Sequence, residues 1–294
     1  MNDTWFLGLS GSETSKTLNT SVSIPYGYFT GTFNASYSES VTQLTATTEL
    51  FEPTTSYGFD LAYLVNRNST SKTFLDFEFG ETTSDRFING TALTAQDFTT
   101  YKAGFRHERY GEGTFLSARG ALKCGKLTSD ASGIVAGEGP QKDFTLLTFG
   151  GAYQKQFENN RSLFVTLSAQ MSSAPLFSTH QFSIGGRNNL RGVNGVSISG
   201  DSGISITSEY NFLVGKRQTD PDAAPRFVDK LRPFLFLDAG AIDNRQQDIT
   251  SIGIGIGIGI GAGAKYYFKN NVIDVYAGFP LKSSGSLDVR GAEI

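Results

Sequence analysis

The segment Tyr57–Gly80, YGFDLAYLVNRNSTSKTFLDFEFG, contains the pattern that decides the fold. Every second residue of its first half is apolar, and most of these are aromatic: Tyr57, Phe59, Leu61, Tyr63 and Val65. Its second half, Thr73–Gly80, alternates in the same way, with acidic residues between the apolar ones. This period-two pattern predicts two antiparallel strands, each with one apolar and one polar face, joined by a turn at Asn68–Lys72.

The same alternation continues along the chain and predicts about fourteen strands. Many of them are about 9–12 residues long, which is the length that a tilted strand needs to cross a bilayer and more than soluble strands usually have. The predicted strands are 3–12, 17–25, 27–38, 57–67, 73–80, 97–109, 113–125, 143–157, 161–171, 177–184, 203–215, 231–241, 252–268 and 271–281.

The composition narrows the function classes. Among 294 residues there are 24 Phe, 12 Tyr and 34 Gly but only 8 Pro, which favours strands and turns over helices. A net charge of -3 does not suggest a nucleic-acid partner. One cysteine and two histidines give no internal disulfide and no basis for a metal site or cofactor. Because no run of 18 apolar residues occurs, a transmembrane helix is not expected.

The polar faces of the strands separate two kinds of β protein. A soluble sandwich would bury its apolar faces and spread charge over its outer surface. In this chain the polar faces mix both signs of charge with Gly, Ser and Thr, whereas the apolar faces are rich in aromatic residues, as a lipid-facing surface is. Closure would also remove the long open edges of so large a sheet. We therefore predict an all-β, transmembrane antiparallel β-barrel over residues 1–294, without a domain boundary.

The repeat Gly253–Gly263, GIGIGIGIGIG, fits this scheme with isoleucines on one face and glycines on the other. One interpretation is a strand with lipid on the isoleucine side and something packed closely against the glycine side. The other is low-complexity drift on a tolerant strand. The sequence leaves both open.

Residues Ile184–Tyr210 contain a long glycine-rich loop, near 185–203, and such loops often carry function. They contain four short motifs: Gly185-Gly186, Leu190-Arg191-Gly192, Gly200-Asp201-Ser202-Gly203 and Ser208-Glu209-Tyr210. In this order the motifs resemble those of the two-partner secretion transporters, the haemolysin activation/secretion family. Segments elsewhere match the same family in order: Ser23–Phe29, Arg232–Gly240 and Gly278–Leu281.

The resemblance implies a sixteen-stranded outer-membrane pore, preceded in the family by a plug helix and two POTRA domains. Those parts, a signal peptide, and the first and last family strands are not recognisable, so we expect a barrel fragment. In the family the arginine of the loop pairs with an aspartate of the inner wall, which implies the pair Arg191 and Asp238. Phe236 shares a face with Asp238 by strand parity, and Glu209 belongs to the last motif. The alternative is a surface arginine in a solvated ion pair, which would contribute little.

The resemblance also implies a function and partners. The expected activity is translocation of a large exoprotein, of haemolysin or adhesin type, across the bacterial outer membrane, with the arginine loop controlling the pore. The expected partners are that exoprotein, outer-membrane lipid and the barrel assembly machinery. A barrel-assembly factor and a passive porin remain alternatives. An enzyme is not expected, because Gly-x-Ser-x-Gly does not occur, His107 lies near a predicted turn, and His180 has no obvious acidic residue beside it in the sequence.

Overall fold

A computed structural model describes residues 3–12, 15–45, 47–129, 139–185, 189–191, 198–212, 231–245, 254–268 and 271–284. Apart from two single-turn 3-10 helices, Glu158–Asn160 and Ser178–His180, the regular elements in these ranges are strands. They are β1 (Thr4–Gly11), β2 (Ser15–Tyr26), β3 (Phe29–Thr45), β4 (Thr48–Arg67), β5 (Ser71–Ser84), β6 (Phe87–Ile88), β7 (Thr91–Ala92), β8 (Gln96–Gly111), β9 (Thr114–Leu127), β10 (Asp143–Gln156), β11 (Ser162–Ser172), β12 (Phe182–Ile184), β13 (Ile198–Gly200), β14 (Ser202–Asn211), β15 (Leu231–Asp243), β16 (Ile254–Phe268) and β17 (Asn271–Ser284). No helix in these ranges is long and apolar enough to span a membrane.

Fifteen of the described strands belong to one sheet, and β12 with β13 forms a second, two-stranded one. The chain divides into two compact units, one of residues 1–107 with 120–147 and the other of residues 108–119 with 148–294. Within the first unit, β1 to β5 pair antiparallel in chain order. Within the second, β11, β14, β15, β16 and β17 pair antiparallel in that order. The predicted all-β antiparallel fold is confirmed.

The alternation of faces in the first unit follows the sequence pattern. Phe59 on β4 and Phe77 on β5 lie on the apolar face and remain 48% and 51% exposed. On the opposite face, the Asn34 amide donates a hydrogen bond to Asp60, and Lys102 forms an ion pair with Glu78. Charged groups are therefore partnered on one face while aromatic rings stay uncovered on the other. An apolar band of this kind is expected where lipid covers the surface.

One predicted strand is wrong. Residues 177–184 do not cross the large sheet: Ser178–His180 is a 3-10 turn, and only β12 is extended, where it pairs with β13. The physical reason is that the polar groups just before β12 bond to the side chain of Asp201 and not to a neighbouring strand. Consequently β11 pairs directly with β14, and thirteen of the described strands are eight residues or longer.

Candidate functional site

The segment between β11 and β14 folds back onto the sheet of the second unit. Its two stems are β12 and β13, which pair antiparallel, with Phe182 opposite Gly200. Ile184 and Leu190 from this segment are fully buried against Ile242 of β15. We call the side of β14–β16 that this segment covers the loop face. Burial of these apolar side chains holds the loop there.

Asp201 fixes the base of the loop. Its carboxylate is buried and accepts hydrogen bonds from the backbone N–H of Leu176 (2.8 Å) and from the side-chain amide of Gln181 (3.3 Å). The backbone N–H of Arg245, just after β15, donates to the same carboxylate at 2.6 Å. A buried carboxylate requires such donors, because burial without partners is costly. Asp201 therefore joins the start of the loop to the end of a neighbouring strand.

The glycines of the motifs are required for different local reasons, either close packing or backbone conformation. A Cβ atom at Gly200 would lie 2.6 Å from the Ile242 side chain, and one at Gly203 would lie 2.5 Å from the Phe182 ring. Gly185 has a φ of 125°, a conformation that side chains disfavour, and its N–H donates to Asn189 at 2.8 Å. Two further predicted site residues lie outside the described residues: Gly186 and Gly192.

The Arg191 side chain lies against Asp238 of β15. Its Nε donates to one carboxylate oxygen at 2.7 Å and its Nη2 donates to the other at 2.9 Å. The backbone N–H of Arg191 donates a third hydrogen bond to Asp238, at 3.0 Å. The two parallel side-chain bonds form the bidentate geometry that makes arginine–carboxylate pairs strong and directional. Asp238 is completely buried, so Arg191 supplies the charge that compensates it.

Glu209 of β14 provides a second carboxylate. Its Oε2 accepts a bond from Arg191 Nη1 at 2.9 Å, while its Oε1 accepts one from the Asn211 amide at 3.0 Å. The same Oε1 forms an ion pair with Lys265 of β16. The four charged groups of this cluster, Arg191, Lys265, Asp238 and Glu209, balance in sign. Such a fully partnered network is more favourable inside a protein than a single buried pair.

Two aromatic rings complete the site. The Arg191 guanidinium carbon lies 4.2 Å from the centre of the Phe236 ring and 6.0 Å from that of Phe234. Lys265 Nζ lies 4.9 Å from the Phe234 ring centre. All three distances allow cation–π attraction, which is largest where water is excluded. Both rings are nearly fully buried on the loop face.

The electrostatics of the site keep Arg191 charged. Burial opposes the charge, but hydrogen bonds and charge from Asp238, followed by those from Glu209, outweigh it and raise the pKa of the Arg191 guanidinium above its ordinary value. Its side chain is only 11% exposed. Arg191 therefore remains charged, and the strength of its contact with Asp238 depends on geometry and on solvent access.

The structure brings four of the predicted site residues into one cluster: Arg191, Asp238, Glu209 and Phe236. Asp201, Gly200 and Gly203 lie at the base of the loop with other partners, and Leu190 lies in the apolar cluster. Sequence reasoning missed the pairing of Lys265 with Glu209. The two residues lie on different strands, and the register of β15 with β16 brings them together.

In the described ranges, no three His, Cys, Asp or Glu side chains are grouped as metal ligands would be. His107 Nδ1 lies 2.9 Å from the hydroxyl of Thr73, in the first unit. Cys124 is exposed on the apolar face.

Comparisons with known proteins agree with this architecture. The model of the family described as haemolysin secretion/activation protein ShlB/FhaC/HecB matches residues 1–264. The outer membrane transporter CdiB of Dickeya dadantii (strain 3937) is 24% identical over 228 residues, covering 71% of this chain and 40% of that protein.

Two solved structures share the fold. CdiB from Escherichia coli superposes with a TM-score of 0.83 at 20% identity, covering 99% of this chain and 55% of that one. CdiB from Acinetobacter baumannii gives 0.71 at 17% identity, covering 92% and 47%. These matches confirm the β-barrel fold class, and the chain spans about half the length of the relatives it matches.

Proposed function

Because this chain belongs to the haemolysin secretion/activation family ShlB/FhaC/HecB, whose members are outer-membrane β-barrels of two-partner secretion, we propose that it forms a pore that exports a large partner protein. The partner is an exoprotein of haemolysin or adhesin type that crosses unfolded. Outer-membrane lipid covers the apolar face, and the barrel assembly machinery inserts the chain. The loop that carries Arg191 controls the pore.

The observation that carries the loop's role is the buried contact of Arg191 with Asp238. Three hydrogen bonds join a loop residue to a fixed strand, and the carboxylate has no exposure to water. Such a contact makes a defined docked state. It remains reversible, because in water both ions are solvated and the net gain of pairing is only a few kcal/mol.

A docked and an undocked loop give the pore two states. In the docked state the loop occupies the loop face of β14–β16, held by the Arg191 cluster and by the apolar contacts of Leu190. A cargo segment that competes for space, or for the carboxylates of the wall, shifts the population towards the undocked state. The arginine cluster thereby sets how readily the pore opens.

The test is Arg191→Ala in the full-length protein, expressed together with its cargo. We expect secretion of the cargo to fall, because the loop no longer returns to one defined position, while the barrel still folds. Folding is checked by the heat-dependent shift in gel mobility and by surface labelling. Arg191→Lys keeps the charge but loses the bidentate bonds. Secretion of the cargo by this variant should therefore lie between that of the parent protein and that of Arg191→Ala.

The matched control is Arg67→Ala, which makes the same chemical change at an exposed arginine at the end of β4. It should secrete like the parent protein. Unchanged secretion in Arg191→Ala would refute control by this loop. Flux of small solutes without any need for cargo would indicate a passive porin, and loss of other outer-membrane barrels from deletion cells would indicate an assembly factor.

A further inference from the structure

The glycine side of β16 faces the same direction as the arginine cluster. In the register of β15 with β16, Gly261 lies opposite Phe236 and Gly263 lies opposite Phe234. Ile260 and Ala262, which alternate with these glycines, lie on the other side of the sheet, where Ile260 is exposed. The repeat therefore places a row without side chains next to the two rings that contact Arg191 and Lys265.

The rings fill the space that side chains on β16 would need. A Cβ atom at Gly261 would lie 2.5 Å from the tip of the Phe236 ring, and one at Gly263 would lie 2.5 Å from the tip of the Phe234 ring. A Cβ atom would also meet the backbone of β17, closer still at the Ala277 oxygen for Gly261 and equally close at the Val275 oxygen for Gly263. Real Cβ atoms do not approach other atoms so closely, so both the ring and the neighbouring backbone would have to shift. By contrast, a Cβ atom at Gly58 of β4 would have its nearest neighbour at 3.6 Å, an ordinary contact.

The Phe236 ring is held on several sides. It leans over Gly261, and Arg191 lies over it at 4.2 Å. The Tyr276 ring of β17 meets it edge-on, with the ring centres 5.7 Å apart and an angle of 87°. Aromatic pairs prefer this arrangement. Displacing the ring would therefore move the surface on which the guanidinium lies.

From these contacts we propose that Gly261 and Gly263 are positioning residues of the arginine cluster. They leave room for Phe236 and Phe234 to lie low over β16, so that Arg191 can reach Asp238 and Lys265 can reach Glu209. The proposal rests on the proposed role of the loop, and it assigns a purpose to the glycine repeat. The isoleucine side serves the exposed apolar face, and the glycine side serves the loop.

The position of the loop can be read from the reactivity of Arg191. Phenylglyoxal modifies guanidinium groups and is small enough to reach groups inside a pore, so its rate at Arg191, measured by peptide mass spectrometry, reports how often the loop undocks. Arg67 in the same molecule is the internal reference. The purified full-length protein is used, and its folded state is checked by the gel shift.

We expect Gly261→Ala to raise the modification rate of Arg191 about tenfold, the scale of a well-formed, desolvated cation–π contact. Gly58→Ala, the matched control, should leave the rate unchanged. A methyl group at Gly261 would also approach the backbone oxygen of Ala277, so a second background is needed to separate ring displacement from strain between β16 and β17.

That background is Phe236→Leu, which removes the ring. There, Gly261→Ala should raise the rate by a clearly smaller factor, because the ring is gone and only the contact with the Ala277 carbonyl remains. If Gly261→Ala raised the modification rate of Arg191 by the same factor in the parent protein and in the Phe236→Leu background, the proposal would be overturned. The effect would then come from strain in the backbone. A rate unchanged by Gly261→Ala in either background would overturn it as well. Failure of the loop's role itself is recognised separately, because Arg191→Ala would then secrete normally.

Discussion

Asp238 and Glu209 both bind Arg191, yet the structure predicts that they contribute very unequally. Asp238 is fully buried and accepts three hydrogen bonds from Arg191. Glu209 is 12% exposed and accepts one, and its other oxygen retains Lys265 and Asn211 as partners. Asp238→Asn and Glu209→Gln remove one charge each with little change of shape, so the two variants can be compared directly.

The magnitudes follow from the number of bonds. Asparagine keeps one acceptor oxygen and replaces the other by an amide NH2, which cannot accept, so at least one of the three bonds from Arg191 is lost and the remaining ones lose the charge of their acceptor. A hydrogen bond to a charged group contributes about 1.5–3 kcal/mol, and loss of the acceptor's charge weakens a bond by about 1 kcal/mol. Because burial of a carboxylate is relieved at the same time, we expect a net loss of about 2–4 kcal/mol for Asp238→Asn. One bond to Glu209 gives about 1 kcal/mol.

The assay is modification of Arg191 by phenylglyoxal in the folded, purified protein. When docking is fast, the rate follows the undocked population. We expect Asp238→Asn to raise it about 30-fold or more and Glu209→Gln about fivefold, since 1.4 kcal/mol corresponds to a factor of ten. Asp76→Asn, a partly exposed carboxylate on β5, is the control and should leave the rate unchanged. A larger effect from Glu209→Gln, or none from Asp238→Asn, would refute the reasoning.

The base of the loop and its close contacts give two further predictions. Asp201→Ala removes the acceptor of three hydrogen bonds, and each donor left without a partner costs about 1–3 kcal/mol. Amide hydrogen exchange at Leu176 and Arg245 should therefore become at least about tenfold faster. Protection like that of the parent would contradict this account. Gly203→Ala places a methyl group against the Phe182 ring and should lower thermal stability in detergent by about 1–3 kcal/mol. The control is Gly31→Ala, because the nearest atom to a Cβ there lies at 3.7 Å. Equal melting temperatures of the two variants would contradict the predicted clash at Gly203.

The strands could be predicted from the sequence because their signal is local. Residues of β4 and β5 alternate with a period of two, and that period alone decides which side chains share a face. Asp238 and Phe236 were placed on one face for the same reason. The strand bounds differ most between β3 and β4. There the sequence predicted strands 27–38 and 57–67, whereas β3 runs to Thr45 and β4 begins at Thr48, because strand ends depend on pairing with neighbours.

The predicted strand at 177–184 shows where local signals fail. Its sequence alternates as a strand does, yet only β12 is extended. Leu176 and Gln181 donate to Asp201, which lies about twenty residues further along the chain, so a long-range contact decides the local backbone. The pattern of apolar and polar residues within the segment could not reveal Asp201 as that partner.

The sequence by itself determined the all-β class, the apolar and polar faces, and the existence of a glycine-rich loop with a central arginine. Alternation, turn residues and motif order are properties of neighbours along the chain, so they can be read without coordinates. Only the tertiary structure decided that Glu209 is shared between Arg191 and Lys265, and that Phe236 lies between Arg191 and Gly261. These contacts join β14, β15, β16 and the loop, and the register between strands that brings them together is set by packing across the sheet.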